Sequence, residues 1–362
     1  MTSLKRSDYR ALIKDCFEPD LGIFWREFLI AYAAFLGGLA ALFFAPSLSL
    51  QVAGFFLAAL MAYRCAIYMH EVVHLPRVKF RSFIYGWNIL VGIPFLLPSI
   101  LYEPHLEHHL PKQYATDNDP EYAPLAGSSA LGIIWFILHH AFVTPVILYI
   151  RMLIGLPVRL LSAKGTDYLE RRLSSLVINW HYDRRNRANK KLLIGMEAYV
   201  LAVTVIFSIL IYQGVLAPLV LVKLVGVIMV GLIFNAIRTL AAHRYINLDL
   251  APMTVDEQLL DSLNYVGPKW IGLIVAPVGL RFHALHHLFP SIPYHALETA
   301  HDRLMAATDE DDIYRRTNFS SYFKQMWDLT KKPDIQAKAA NPDTSGQEKE
   351  TRSGQGSVAG AS

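Results

Sequence analysis

Residues 28–63 read FLIAYAAFLGGLAALFFAPSLSLQVAGFFLAALMAY, a run without a single Asp, Glu, Lys, Arg or His. At 1.5 Å rise per residue it would extend about 54 Å as one helix, far beyond a hydrocarbon core of about 30 Å, so the chain must turn back. Ala45-Pro46-Ser47 supplies the break, giving one span over about 28–45 and a second over about 49–69. The same pattern returns later. Gly195 to Tyr212 and Val215 to Ile237 are apolar and are separated at Gln213-Gly214, with Pro218 opening the next helix. Two hairpins, and so four transmembrane helices, are the expectation.

The whole chain agrees with that reading. Of 362 residues, 53% are hydrophobic and only 18% charged, and the mean hydropathy is +0.30. A soluble globule, a coiled coil and a disordered chain all fit poorly. The formal charge of +4 is small and its Lys and Arg are dispersed, so nucleic acid is not an expected partner. Two cysteines, Cys16 and Cys65, rule out thiolate zinc sites, iron–sulfur clusters and a disulfide scaffold.

Charge also sets the sidedness. Residues 151–191 hold ten Lys and Arg against Asp167, Glu170 and Asp183, while the turns at 45–51 and 213–218 carry no charge. By the positive-inside rule the basic stretch and the N-terminus are cytosolic. Residues 1–27 are polar and mixed in charge, unlike a cleaved signal peptide. Four regions follow: a cytosolic N-terminal segment 1–27, a membrane domain 28–305, an amphipathic C-terminal helix within 306–330, and a disordered tail 331–362. In the third, Phe319, Tyr322, Phe323, Met326 and Trp327 fall at helical spacing. The fourth has no aromatic residue and is rich in Gly, Ser, Gln, Lys and Glu.

Histidine is the unusual residue, with 14 in the chain. His70-Glu71-Val72-Val73-His74 ends the second span and puts two imidazoles on one helix face. His105-Leu106-Glu107-His108-His109 lies between Pro104 and Pro111, and His283-Ala284-Leu285-His286-His287 repeats its spacing before Pro290 and Pro293. His243 stands alone just past the fourth span. Nine imidazoles exceed what one tetrahedral zinc can use. They match two metals of about five-coordination each, and two adjacent redox metals point to dioxygen chemistry. Nitrogen ligands alone do not choose among iron, copper, zinc and nickel. His139, His140, His181, His295 and His301 lack this spacing and are expected to be structural.

The three boxes and His243, set around two hairpins, resemble the integral-membrane fatty acyl desaturase family, which includes related hydroxylases, over about residues 28–305. The resemblance implies an all-α integral membrane fold of four spans with interfacial helices and a cytosolic helical cap. It implies a non-haem di-iron centre, with His70, His74, His105, His108, His109, His243, His283, His286 and His287 as metal ligands and catalytic residues. Dioxygen is then the co-substrate and a fatty acyl lipid the substrate. No His-Pro-Gly-Gly haem motif is present, so electrons come from an external donor such as ferredoxin, rubredoxin or cytochrome b5. Desaturation is the commoner outcome in the family, and hydroxylation at the same site is the alternative.

Two departures are visible. Relatives carry an Asn four residues before the lone histidine, where this chain has Thr239, with Asn235 a further turn away. The third box begins with His283, where the front-end branch commonly has Gln.

Sidedness constrains two further apolar stretches, 83–101 and 127–156. A single crossing by 83–101 would place His105 opposite His70, so both stretches are expected to stay on the cytosolic face or dip in and return. Rival chemistries remain for the same residues. His70-Glu71-x-x-His74 is a literal H-E-x-x-H, the pattern of a zinc metalloprotease, here an intramembrane one. Glu71-x-x-His74 and Glu298-x-x-His301 also fit a carboxylate-bridged di-iron bundle. Both leave most of the clustered histidines unused. Glu71 and Glu107 are expected instead to accept N–H bonds from ligand imidazoles.

Overall fold

Asp20 starts the first long helix, its carboxylate accepting the backbone N–H groups of Gly22 and Ile23 at 2.7 and 3.1 Å. Proline and the Ser47 cap end it and start the next. The computed structural model describes residues 6–331 except Arg187; among these, helices dominate and the only named strands are two residues each. In chain order the helices are α1 (Arg6–Leu12), α2 (Leu21–Phe44), α3 (Leu48–His74), α4 (Arg81–Trp87), α5 (His105–His108), α6 (Ala130–Leu138), α7 (Thr144–Leu161), α8 (Ala163–Arg172), α9 (Lys190–Tyr212), α10 (Pro218–Leu240), α11 (Val255–Asp261), α12 (Lys269–Val275), α13 (His283–Leu288), α14 (Tyr294–Ala307) and α15 (Tyr322–Asp328). The expected tail beyond Lys331 lies outside the described residues.

The two hairpins form where the apolar runs and their breaks place them, α2 with α3 and α9 leading into α10. Small residues let the first hairpin close. A Cβ on Gly38 would lie 2.6 Å from the backbone nitrogen of Ala58, and one on Gly54 would lie 2.6 Å from that of Leu42, so only glycine fits at either contact. Helix α10 packs on α3, where Gly231 faces Tyr63 and Phe234 stacks on it.

Residues 81–101 do turn back. Helix α4 continues as a π turn through Gly92, and the chain then reverses at Pro94 and Pro98. Asn88 clips the reversal shut, donating to Ile84 O and Ser99 Oγ and accepting from the Ser99 N–H. His105 thereby returns to the side of His70.

The following stretch differs from a dip and return. Ala130–Leu161 is one continuous helix with a π turn at His139–Val143, and it is the fifth helix long and apolar enough to cross a membrane by length and composition. Its contacts show how it runs. Ile133 and Phe136 cluster with Ala236 and Leu240 at the end of α10, while Arg159 binds Glu197 near the start of α9. Both its ends therefore meet the histidine-bearing ends of the second hairpin. Charged residues at 151 and 159 do not break the helix because each finds a buried carboxylate: Arg151 donates to Glu197 at 2.7 Å, and Arg159 to Glu197 at 2.7 Å and Glu170 at 2.5 Å.

Residues 241–328 cover the histidine end, joined by the N-terminus. Tyr9, Ile13 and Cys16 pack with Phe282, Leu285, Phe289, Leu297 and Leu304, and Arg6 donates to Leu288 O at 2.6 Å. The expected C-terminal helix is shorter than its spacing implied. Asn318–Phe319 pairs in parallel with Asn264–Tyr265 as a two-residue ladder, and Ser321 caps a helix that begins only at Tyr322. Backbone pairing beside Tyr265, with the Val266 N–H donating to Phe319 O at 2.8 Å, claims Phe319 before the helical period can.

Candidate metal centre

Three short elements and the end of α3 aim the nine histidines at one another. His70 and His74 lie one turn apart on α3. Pro104 starts α5, so His105, His108 and His109 project from a single turn. On α13 the apolar Ala284, Leu285 and Leu288 face the cap core, which turns His283, His286 and His287 the other way. His243 is held by an antiparallel bridge to Ser262 just past α10.

The nine divide into two clusters, His70, His74, His105, His109 and His286 in one, and His108, His243, His283 and His287 in the other, with the ligand atoms of each within 4.8 Å of one another. The clusters abut, the His109 and His287 rings lying 4.4 Å apart. Adjacent residues part company here. His108 and His109 serve different clusters, as do His286 and His287, because neighbours on a helix point about 100° apart.

The spacing of the ring nitrogens fits metal ligation. Nε2 of His109 lies 2.9 Å from that of His105 and 3.1 Å from that of His286. Nε2 of His243 lies 2.9 Å from that of His283 and 3.3 Å from that of His108, and His287 to His283 is 3.1 Å. Bonds of about 2.1 Å to one ion at right angles would put neighbouring nitrogens about 3.0 Å apart. Nε2 of His70 and of His74 are buried with no partner at all, a cost that a cation removes. An all-nitrogen set of five and four suits a transition metal, and five exceed tetrahedral zinc.

A layer of carboxylates and phenols fixes the tautomers. Nδ1 of His108 meets both Asp119 oxygens at 2.8 Å, and Asp119 is itself held by the N–H groups of Ala115 and Glu121. Tyr114 donates to Asp261 at 2.8 Å, so its oxygen is free to accept from His243 Nδ1 at 2.9 Å, leaving Nε2 as a lone pair. Glu121 Oε1 lies 3.1 Å from His105 Nδ1, off the line of a good hydrogen bond, while Tyr102 donates to its other oxygen. Burial would raise the Glu121 carboxyl, but His105 and His108 draw it down to about 2. Burial lowers His108 as well, and Asp119 outweighs it, so this imidazole becomes more basic.

None of these three carboxylates stands in a box. Of the two that were expected, Glu71 lies 3.4 Å from His70 Nδ1 and accepts the Tyr294 N–H at 3.0 Å, whereas Glu107 faces Tyr182 and no ligand. The remaining histidines have local roles: His301 bonds Tyr314, His140 bonds Phe136 O, His295 accepts from Asp20 N, and His139 packs on Trp180. His181 also stays outside both clusters. Glu298 pairs with Lys269 and Arg281, away from His70 and His74. The Asn235 amide oxygen accepts from Arg238, as does the Thr239 hydroxyl.

Two expected results follow from this layer. In Asp119→Asn, the His108 tautomer loses its anchor, and metal retention against a chelator should weaken about 10–100-fold; unchanged metal content after dialysis would contradict the assigned anchor. The second concerns pH. Burial, then the neighbouring imidazoles, hold His109, His283, His286 and His287 well below the usual histidine range. In the unfolded chain these rings protonate near pH 6.5, so stability is whole above that value and falls as pH drops below it. The thermal midpoint of metal-free protein should be level from pH 8 to about 6.5 and decline toward pH 5; a level profile throughout would contradict the burial of neutral rings.

Comparison with known proteins agrees with the geometry. No solved structure matches the chain. It is 34% identical to a ceramide hydroxylase of Caulobacter vibrioides (strain NA1000 / CB15N) over 323 residues, covering 88% of this chain and 91% of that protein. Residues 46–319 match the sequence profile described as fatty acid desaturase, and the chain belongs to that family.

Proposed function

We propose that this protein is a membrane lipid oxidoreductase that holds two irons in its histidine clusters and hydroxylates a chain of a ceramide-type lipid. The observation that carries the reading is the division of nine converging imidazoles into adjacent sets of five and four. The relative named as a ceramide hydroxylase, similar over most of both chains, supports hydroxylation and the lipid class. Desaturation is the second reading, supported by the family profile.

Bound iron would supply the reduction of dioxygen by electrons from an external protein donor. The chain's own part is to keep the imidazoles aimed, through Asp119, Asp261, Tyr114 and Glu121, and to keep bulk water from them: His70, His105, His108, His243, His283 and His286 are all buried. A groove of about 420 Å³ between α2, α3 and α12, lined by Ile30, Ala34, Leu60, Met61 and Leu273 and by the Glu27–Arg64 pair, supports an acyl lipid as substrate. For topology we propose that α2, α3, α9 and α10 cross the bilayer, that Ala130–Leu161 lies along the face bearing the histidines, and that this face is cytosolic. The basic 151–191 stretch lies on that face, Arg184 binding Glu103 and Ile100 O beside α5.

Expression in a host with a suitable electron donor, followed by mass spectrometry of total lipids, tests the reading. Ceramides heavier by one oxygen are expected. A loss of two hydrogens would establish desaturation, and unchanged lipids with a cleaved membrane protein would establish the protease chemistry of H-E-x-x-H. Metal analysis should find iron near two per chain; zinc near one would overturn the mechanism.

A further inference from the structure

Arg238 sits where a cation is hard to explain by folding alone. On α10 the residues Gly231, Phe234 and Arg238 share the face turned to α3: a Cβ on Gly231 would lie 3.1 Å from Tyr63 Cβ, and the Phe234 ring stacks on Tyr63 at 6.2 Å. Helices α3 and α10 both run toward the histidine end. Arg238 lies seven residues past Gly231, and His70 seven past Tyr63, so both stand about 10 Å further along and level with each other. Tyr63 and Tyr322 belong to one packed cluster, with Phe234 and Ile237 of α10 against it, and the Arg238 charge acts on the Tyr63, Tyr102 and Tyr322 hydroxyls and on His283.

Its hydrogen bonds go to neutral acceptors, Asn235 Oδ1 at 3.2 Å and Thr239 Oγ1 at 3.1 Å on its own helix and the Tyr63 hydroxyl on α3. Among the described residues no carboxylate forms an ion pair with it. A second donor in the same place is also unspent. Tyr322 is 8% exposed, its ring stacks on Tyr265 at 4.4 Å, and its hydroxyl has no partner. The Tyr63 hydroxyl, by contrast, already donates to Val275 O at 2.7 Å. A guanidinium offers donors and no acceptor, and a buried donor left unpaired is costly. The complement of these donors is an uncharged or anionic oxygen acceptor.

We propose that Arg238 and Tyr322 bind the carbonyl oxygen in the polar region of the lipid substrate, the amide in a ceramide, and so fix which carbon faces the histidine clusters. This rests on the lipid-oxidising function above and adds the group that positions the substrate. Because Arg238 is level with His70, the carbon presented lies close to the polar group and not far down the chain. Neither residue is a metal ligand.

The test uses the full-length iron-loaded protein in detergent with radiolabelled dihydroceramide, measuring binding, KM, kcat, product position and iron content. In Tyr322→Phe, Kd and KM should rise several-fold, with kcat within about twofold and iron unchanged. In Arg238→Gln they should rise about 10–100-fold, the loss expected for a hydrogen bond to a charged group, with oxygen spread over more than one carbon. Arg238→Lys should recover part of the affinity. Unchanged Kd and product position in both Tyr322→Phe and Arg238→Gln would overturn the proposal, as would iron loss in both, which marks a purely structural role. Wild-type protein that binds dihydroceramide without oxidising it would overturn the assigned reaction, while the variants' Kd values still decide the role of Arg238.

Discussion

Replacing His286 with Ala should abolish turnover, by more than about 100-fold, and lower the bound iron. Removing a bonded neighbour of a ligand already costs 10–100-fold in metal affinity or activity, and this change removes one of the proposed ligands itself. Its Nε2 faces that of His109 at 3.1 Å, and its ring packs 4.4 Å from His70 and 4.7 Å from His74. It is the sole cap residue in the five-histidine cluster, so its loss also removes one of the links between the cap and the α3 and α5 histidines. His108→Ala should strike the other cluster in the same way. Iron analysis with a lipid turnover assay checks both, and full turnover in either variant would end the two-cluster assignment.

Glu197→Gln should destabilise the fold by about 3–5 kcal/mol, the usual cost of removing one partner from a buried ion pair. Glu197 is 0% exposed and holds two guanidinium groups, with Arg151 at 2.7 Å and Arg159 at 2.7 and 3.0 Å. The fit is close enough that a Cβ on Gly155 would lie 2.2 Å from the Glu197 carboxyl carbon. With an amide there, one neutral carbonyl oxygen replaces the two charged acceptors that Arg151 and Arg159 share, and the amide NH2 is set against a guanidinium. The thermal midpoint in detergent should fall sharply, and combining Arg151→Met with Glu197→Met should recover part of the loss, since a matched apolar pair carries no stranded charge. A Glu197→Gln protein as stable as the wild type would contradict this.

The hairpins were legible because long apolar runs interrupted at Pro46 and Gly214, the first pair without a charge and the second with only Glu197 and Lys223, have few other solutions in a membrane. The boxes were legible because i, i+3 and i+4 spacing brings side chains to one face. The assignment of His108 and His109 to different clusters was not, since it depends on the rotation of α5 against α3 and α13. Asp119 and Asp261 carry no periodic signal. The first lies in a polar loop, Thr116-Asp117-Asn118-Asp119, and the second ends α11, and only the fold sets them against Nδ1 atoms. Helix Ala130–Leu161 was ambiguous because His139, His140, Pro145 and Arg151 look like interruptions; a π turn and the Glu197 carboxylate absorb them.

The last histidine box supplies both clusters: His286 joins residues 70–109, while His283 and His287 join His108 and His243. During biosynthesis, therefore, neither cluster can be complete until translation has passed residue 287, although the first hairpin is inserted long before. Nascent chains would carry His70 and His74 through membrane insertion as an unfinished, weakly binding pair, and metallation would come after the polypeptide leaves the ribosome. Chains that stop short of the last box would reach the membrane with neither cluster complete.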